Sequence, residues 1–151
     1  MTTTSPGVRH FTKDQLVRVA RLFASDPDLA SRIDRTAGER QRLILSDTPH
    51  LEVLLMSWPA GASTGWHDHG DASGAFVVVE GVLGEEIWRG GSITEHDLCA
   101  GDERSFGSGH LHTMTNLGDD MAVSVHAYSP GLTEMTPYEW VDNKPVPVAV
   151  D

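Results

Sequence analysis

From about residue 40 to residue 138 the chain is cut into short apolar runs, and this limits the folds open to it more than any other feature. "RLIL", "LEVLLMSW", "GAFVVVEG", "GEEIWRG", "SITEHDL", "ERSFGSG", "LHTMTN" and "MAVSVHAYS" each have the composition of a strand. Between them stand turn formers such as "SDTPH", "PAGAS" and "NLGDD". A parallel sheet needs a crossover of a dozen or more residues, usually helical, between strands, and no long helix interrupts this series. The pattern therefore predicts a mainly β protein, an antiparallel sandwich or small barrel. No internal repeat or low-complexity segment breaks it.

Helical periodicity is confined to the N-terminal part. After a polar lead-in over residues 1–10, "TKDQLVRVARLF" carries Leu16, Val19, Ala20 and Phe23 as one apolar stripe, with Thr12 and Gln15 at capping-box spacing. "DPDLASRIDR" offers Asp26 as an N-cap and Pro27 in the first turn, so a second short helix is expected. With 151 residues, 39% of them hydrophobic, one compact domain is expected. It divides into a helical segment over 1–39, a β-barrel over 40–138 and a proline-punctuated extension over 139–151.

A net charge of −11 repels phosphate backbones and anionic lipid, so nucleic acid and membrane surfaces are poor partners. The N-terminus has no apolar run suited to a signal peptide, and no window approaches the roughly 20 apolar residues of a membrane span. Cys99 is the only cysteine, which rules out an internal disulfide, and it reads as a small buried apolar side chain. A cytoplasmic location and a monomer are the expectations.

"GWHDHGDASGAF" puts His67 and His69 two residues apart. On a strand such a pair shares one face, with Asp68 on the other, and two converging imidazoles suit a first-row transition metal. Alone, in a chain with eight histidines, the pair is weak evidence. Gly61 and Gly81 frame it, and "GDERSFGSGHLHTMTN" supplies Gly101, Gly107, Gly109, His112 and Asn116 downstream. This series resembles the two motifs of the cupin superfamily, in which an HxH pair and a lone histidine from a later strand meet inside a small β-barrel or jelly roll. The cupin spacing selects His112 as third ligand, with His110, two residues earlier, as the competing choice. Three details depart from the pattern: Gly74 stands where many cupins carry a glutamate ligand, Gly107 replaces a proline, and the stretch between the motifs is short. Three neutral imidazoles without that glutamate would leave an open site of the catalytic kind.

In "MAVSVHAYS", Ser124, His126 and Tyr128 alternate with Val123, Val125 and Ala127, a row that could equally be an ordinary polar face in water. The row following an HxH…H site resembles the cysteine dioxygenase family of iron-dependent thiol dioxygenases, bacterial type. The similarity extends through "LEVLLMSWPAGASTGWHDHG", "SGAF" and "SVHAYSP", along about two thirds of the chain. It implies that His67, His69 and His112 bind Fe(II). Ser124, His126 and Tyr128 would form a hydrogen-bonded row, the phenol aimed at the substrate or dioxygen. In animal members the equivalent tyrosine is crosslinked to a cysteine; here that position falls on Gly74, so the link cannot form.

By the same resemblance, L-cysteine binds through sulfur and amine, both atoms of O2 end on sulfur as a sulfinate, and no reducing cosubstrate is needed. "RQRLIL" offers Arg40 and Arg42 for a substrate carboxylate, and the family pattern places that role on Arg42. A solvated arginine at a strand start competes with this. The resemblance also implies that related enzymes acting on 3-mercaptopropionate carry an arginine beyond the tyrosine; after Tyr128 this chain has no arginine, only Lys144, which favours an amino-acid thiol. A non-catalytic, metal-binding sensory cupin is the alternative from another class. Trp58 and Trp66 read as core, as do Met114, His96 and His50 under the ordinary structural reading.

Overall fold

The computed structural model describes residues 10–132 and 135–148; most of the polar lead-in and the last three residues lie outside that range. Helix α1 (Lys13–Ala24) opens with the expected capping box: Thr12 accepts from the Gln15 backbone and Gln15 from the Thr12 backbone. Leu16 and Ala20 on its apolar stripe are fully buried. The second predicted helix forms only as a single 3-10 turn, Leu29–Arg32. Asp26 accepts from the Asp28 backbone N–H as an N-cap does, but the backbone bonds that follow, Leu29 to Asp26, Ser31 to Asp28 and Ile33 to Ala30, are of the i→i+3 kind. Leu29 and Ile33 are the anchors that bury this segment.

All eight apolar runs are strands. They are β1 (Gln41–Asp47), β2 (Glu52–Trp58), β4 (Ser73–Glu80), β5 (Val82–Arg89), β6 (Ser92–Cys99), β7 (Glu103–Phe106), β8 (Leu111–Asn116) and β9 (Ala122–Ser129). Three more join them: β3 (His67–Asp68), β10 (Thr136–Val141) and β11 (Lys144–Pro147). Past Tyr138 the chain is thus a hairpin. Its two turn residues, Asp142 and Asn143, have φ of 51° and 64°, the left-handed pair a type I′ turn demands.

Pairing is antiparallel. One sheet runs β1-β2-β9-β4-β7 and the other β11-β10-β3-β8-β5-β6, so the described strands form two sheets rather than one closed barrel. The fold is mainly β and of the jelly-roll kind expected.

Period-two alternation along β9, the middle strand of the first sheet, assigns its two faces. Val123, Val125 and Ala127 pack with Leu16 and Ala20 of α1, while Ala122 and Tyr128 pack with Trp58, Phe76, Leu83 and Met114 between the sheets. The Ser124–His126–Tyr128 face therefore looks inward, with all three side chains at most 5% exposed. A water-facing polar strand is excluded. Cys99 also departs from expectation: it is exposed, because β6 is an edge strand on which Leu98 points in and its neighbour points out.

Candidate metal centre

The three histidines are assembled by register. β3 lies between β8 and β10, with His67 directly opposite His112 and Pro137 opposite His67. Facing residues in an antiparallel ladder share a side, which brings the two imidazoles together. His69, two residues on from His67, comes to the same side. Ring centroids are 4.7 Å (His67–His112), 4.8 Å (His67–His69) and 5.0 Å (His69–His112) apart, a nearly equilateral cluster. All three are buried.

Hydrogen-bond partners fix how two of these rings are protonated. Nδ1 of His67 lies 2.9 Å from the Gly65 carbonyl, which can only accept, so Nδ1 carries the proton and Nε2 a lone pair. Nδ1 of His112 lies 2.6 Å from a carboxylate oxygen of Glu85, with the same result. The two Nε2 lone pairs then face each other at 3.2 Å with no proton between them. Burial, followed by the neighbouring histidines, lowers His67 to about 4 and His69 to about 2, so neither ring protonates near neutral pH to relieve the repulsion. Burial also lowers His112, against the pull of Glu85. Nδ1 of His69 is buried without a hydrogen-bond partner. Opposed lone pairs, an orphaned nitrogen and neutral imidazoles together make a site that a cation would satisfy, so a metal fits these residues.

His110 does not join this cluster. Its Nε2 lies 3.1 Å from Glu85 and its ring stacks on Phe106 at 4.4 Å.

A second chain of contacts runs beside the histidines. The Trp58 indole N–H donates to Ser124 Oγ at 2.9 Å, Ser124 Oγ lies 2.7 Å from His126 Nε2, and His126 Nδ1 lies 3.4 Å from the Tyr128 hydroxyl. Burial, reinforced by His112, His67 and Arg42, lowers His126 to about 3, so the ring is neutral. The Ser124 proton has no other acceptor among its described contacts and goes to Nε2. That leaves the His126 proton on Nδ1, facing Tyr128, and frees the phenolic proton for the cavity. Burial holds this phenol protonated, raising it well above the usual tyrosine value.

The cavity holds about 310 Å³, at the small end of ligand pockets (about 300–1,000 Å³). His67, His112, His126 and Tyr128 line it on one side, Leu54, Met56 and Met114 on another, with Arg40 and Arg42 also contributing. Arg42 stands opposite Met56 in the β1–β2 ladder, which turns it to the cavity face, and its Nη2 lies 3.3 Å from Glu52. The Arg40 guanidinium rests 5.5 Å above the Trp58 ring.

Gly74 lies directly across the β4–β9 ladder from Tyr128. A Cβ there would fall 2.4 Å from Phe106 Cζ and 3.0 Å from Tyr128 Cδ1, so the Phe106 ring fills the space a larger residue would need. That ring also stacks on His69 at 4.9 Å. Gly74→Ala should therefore cost about 1–3 kcal/mol of stability through overpacking. Urea denaturation of the metal-free protein checks it, and an unchanged midpoint would show that Phe106 moves aside freely.

Two members of this arrangement escaped the sequence reading. Trp58, set aside as core, is fully buried but also begins the Ser124 row. Glu85 was passed over inside "GEEIWRG", although alternation puts it on one face with Leu83 and Ile87, all three at most 3% exposed. A carboxylate in the apolar register of a strand was the available signal.

Solved structures with similar folds were found. A Klebsiella pneumoniae protein with a double-stranded β-helix domain is 20% identical, with a TM-score of 0.61 over 71% of this chain and 90% of that one. KdgF from Halomonas sp. is 24% identical, TM-score 0.56, covering 66% and 88%. An oxalate oxidase complexed with glycolate is 16% identical, TM-score 0.60, over 68% of this chain and only 57% of its own. At such identities the likeness speaks for the fold alone. The sequence itself is more specific, matching the family model for cysteine dioxygenase type I over residues 15–140, a span that takes in all three clustered histidines and the whole Ser124–Tyr128 row. The chain belongs to the cysteine dioxygenase type I family.

Proposed function

We propose that this protein is an Fe(II)-dependent thiol dioxygenase that adds both atoms of O2 to the sulfur of a small thiol, L-cysteine foremost, to give cysteine sulfinate. The observation that carries the reading is the pair of facing Nε2 lone pairs of His67 and His112, closed into a triangle by His69 and opening on a cavity of small-molecule size. When bound, Fe(II) supplies an open-shell centre that lifts the spin barrier between a thiol and dioxygen. The three histidines would hold it through neutral nitrogens, leaving the ion's charge uncompensated by a ligand carboxylate. That favours a substrate sulfur in its thiolate form. Tyr128 would donate its hydroxyl proton into the cavity, with His126 and Ser124 holding it in position. Arg42, on the cavity face of β1, would pair with the substrate carboxylate.

The partners on this reading are a small thiol and O2. Nucleic acid remains a poor candidate for so acidic a chain. Among the described residues no helix is long and apolar enough to cross a membrane. We place the enzyme in the cytoplasm, as a monomer.

Oxygen uptake by the iron-loaded protein with L-cysteine, 3-mercaptopropionate and cysteamine tests the proposal. Fastest uptake is expected with L-cysteine, and no uptake with any thiol would leave a metal-binding cupin without turnover. In the same assay Arg42→Ala should raise KM for cysteine about 10–100-fold, the worth of a charge-assisted hydrogen bond, with little change for cysteamine. Equal losses for both substrates would remove the carboxylate role.

A further inference from the structure

A carboxylate buried to 1% exposure needs a reason, because an unpaired buried charge is among the costliest things a fold can hold. Glu85 has partners from three places. Oε2 accepts from His112 Nδ1 at 2.6 Å and from His110 Nε2 at 3.1 Å, and Oε1 lies 3.4 Å from Arg104 Nε. The last is an ion pair without hydrogen-bond geometry, since both atoms otherwise lack partners. Arg104 belongs to β7 in the first sheet and Glu85 to β5 in the second, so the pair ties the two sheets together beside the histidine cluster. Arg104 Nη2 reaches on to His96 Nε2 at 3.2 Å.

We infer that Glu85 is a positioning residue for the metal centre: it fixes His112 with its proton on Nδ1 and its Nε2 lone pair toward His67 and His69, and strengthens that nitrogen as a donor. The inference rests on the reading of His67, His69 and His112 as ligands. The physical basis is that a carboxylate accepting the far N–H of a ligating imidazole pushes electron density toward the metal and locks the ring's tautomer and tilt. A ligand set of three neutral imidazoles has most to gain from this, because the anionic oxygen that no ligand supplies is here set on the far side of the His112 ring.

Glu85, His110 and His112 also lie close enough together to suggest a second metal site. The structure argues against it. Arg104 already sets a positive charge on Glu85, and His112 would have to give up its one remaining N–H proton, becoming an imidazolate, to bridge two ions.

Two variants and two measurements test the role. Glu85→Gln keeps a carbonyl oxygen for the His112 N–H and removes the charge; Glu85→Ala removes both. Co(II) titration against a competing chelator should show affinity falling about 10-fold for Glu85→Gln and up to about 100-fold for Glu85→Ala, with one Co(II) per wild-type chain. The visible Co(II) absorption should shift in Glu85→Gln, which a purely structural role would not produce. In metal-free protein, 15N NMR of the imidazoles should give the Nδ1–H form of His112 in wild type and Glu85→Gln, and mixed tautomers in Glu85→Ala.

Wild-type affinity in the Gln variant, or Nε2–H on His112 in the wild type, would overturn the inference while leaving the ligand set intact. Two Co(II) per chain would reassign Glu85 as a ligand. Failure of the wild type to bind Co(II) at all would remove the metal reading and this role with it.

Discussion

Alanine in place of His67 should leave a folded chain that no longer retains Fe(II) and has lost turnover. One of three donors is gone, so the fall in metal affinity should exceed the roughly 100-fold that a supporting residue costs at most. The behaviour without metal separates this site from an ordinary buried cluster. In the wild type the Nε2 atoms of His67 and His112 face each other at 3.2 Å as two acceptors, an arrangement that costs the metal-free fold. His67→Ala relieves that opposition while opening a small cavity, so the metal-free melting temperature should change less than usual for truncation of a buried ring. Metal at 100 times its Kd should stabilise the wild type by about 2.7 kcal/mol and the variant by almost nothing. Differential scanning calorimetry with and without Fe(II) under argon reads both effects. Equal stabilisation of the two proteins would place the metal elsewhere.

Tyr128→Phe is expected to do the reverse: full iron content, with turnover lowered about 100-fold or more, the range for loss of a positioned proton donor. Tyr128 Oη is 3.4 Å from His126 Nδ1, which in the tautomer set by Ser124 carries a proton. The phenol is therefore the acceptor in that contact, which leaves its own proton for a partner in the cavity. Phenylalanine keeps the packing against Phe106 and His69 and removes only that donor. Iron analysis beside steady-state oxygen uptake distinguishes the outcomes. Loss of iron from this variant would mean that Tyr128 helps to hold the metal.

The strands were legible because their signal is local. Each of the eight runs carries its own β-branched or aromatic composition and its own flanking turn residues, and each forms a strand. β3 lacks that local composition: only the HxH spacing points to a strand there, and its extent, His67–Asp68, is set by β8 and β10 closing on it from both sides. Of the second predicted helix only the start was legible: Asp26 accepts from the Asp28 N–H as an N-cap does, yet the segment goes no further than one 3-10 turn.

At the site, the alternation in "HDH" and "SVHAYS" was enough to group side chains by face. Which face was inward was not contained in it, because that depends on α1 covering the opposite side of β9. Trp58 and Glu85 were missed because their partners lie on other strands, 66 residues away for Trp58 to Ser124 and 27 for Glu85 to His112. No window along the chain includes both.

The brace on β3 has a consequence for how the protein matures. Thr136 and Pro137 pair with Asp68 and His67, and the Tyr138 hydroxyl donates to Asp68 at 2.6 Å across 70 residues of sequence. During synthesis the two histidines thus leave the ribosome long before the segment that sets their geometry, and His112 also follows them. A growing chain presents these donors one or two at a time, as weak and unselective ligands. On the proposed reading, any choice of ion would fall to the fold completed once β10 has closed on β3.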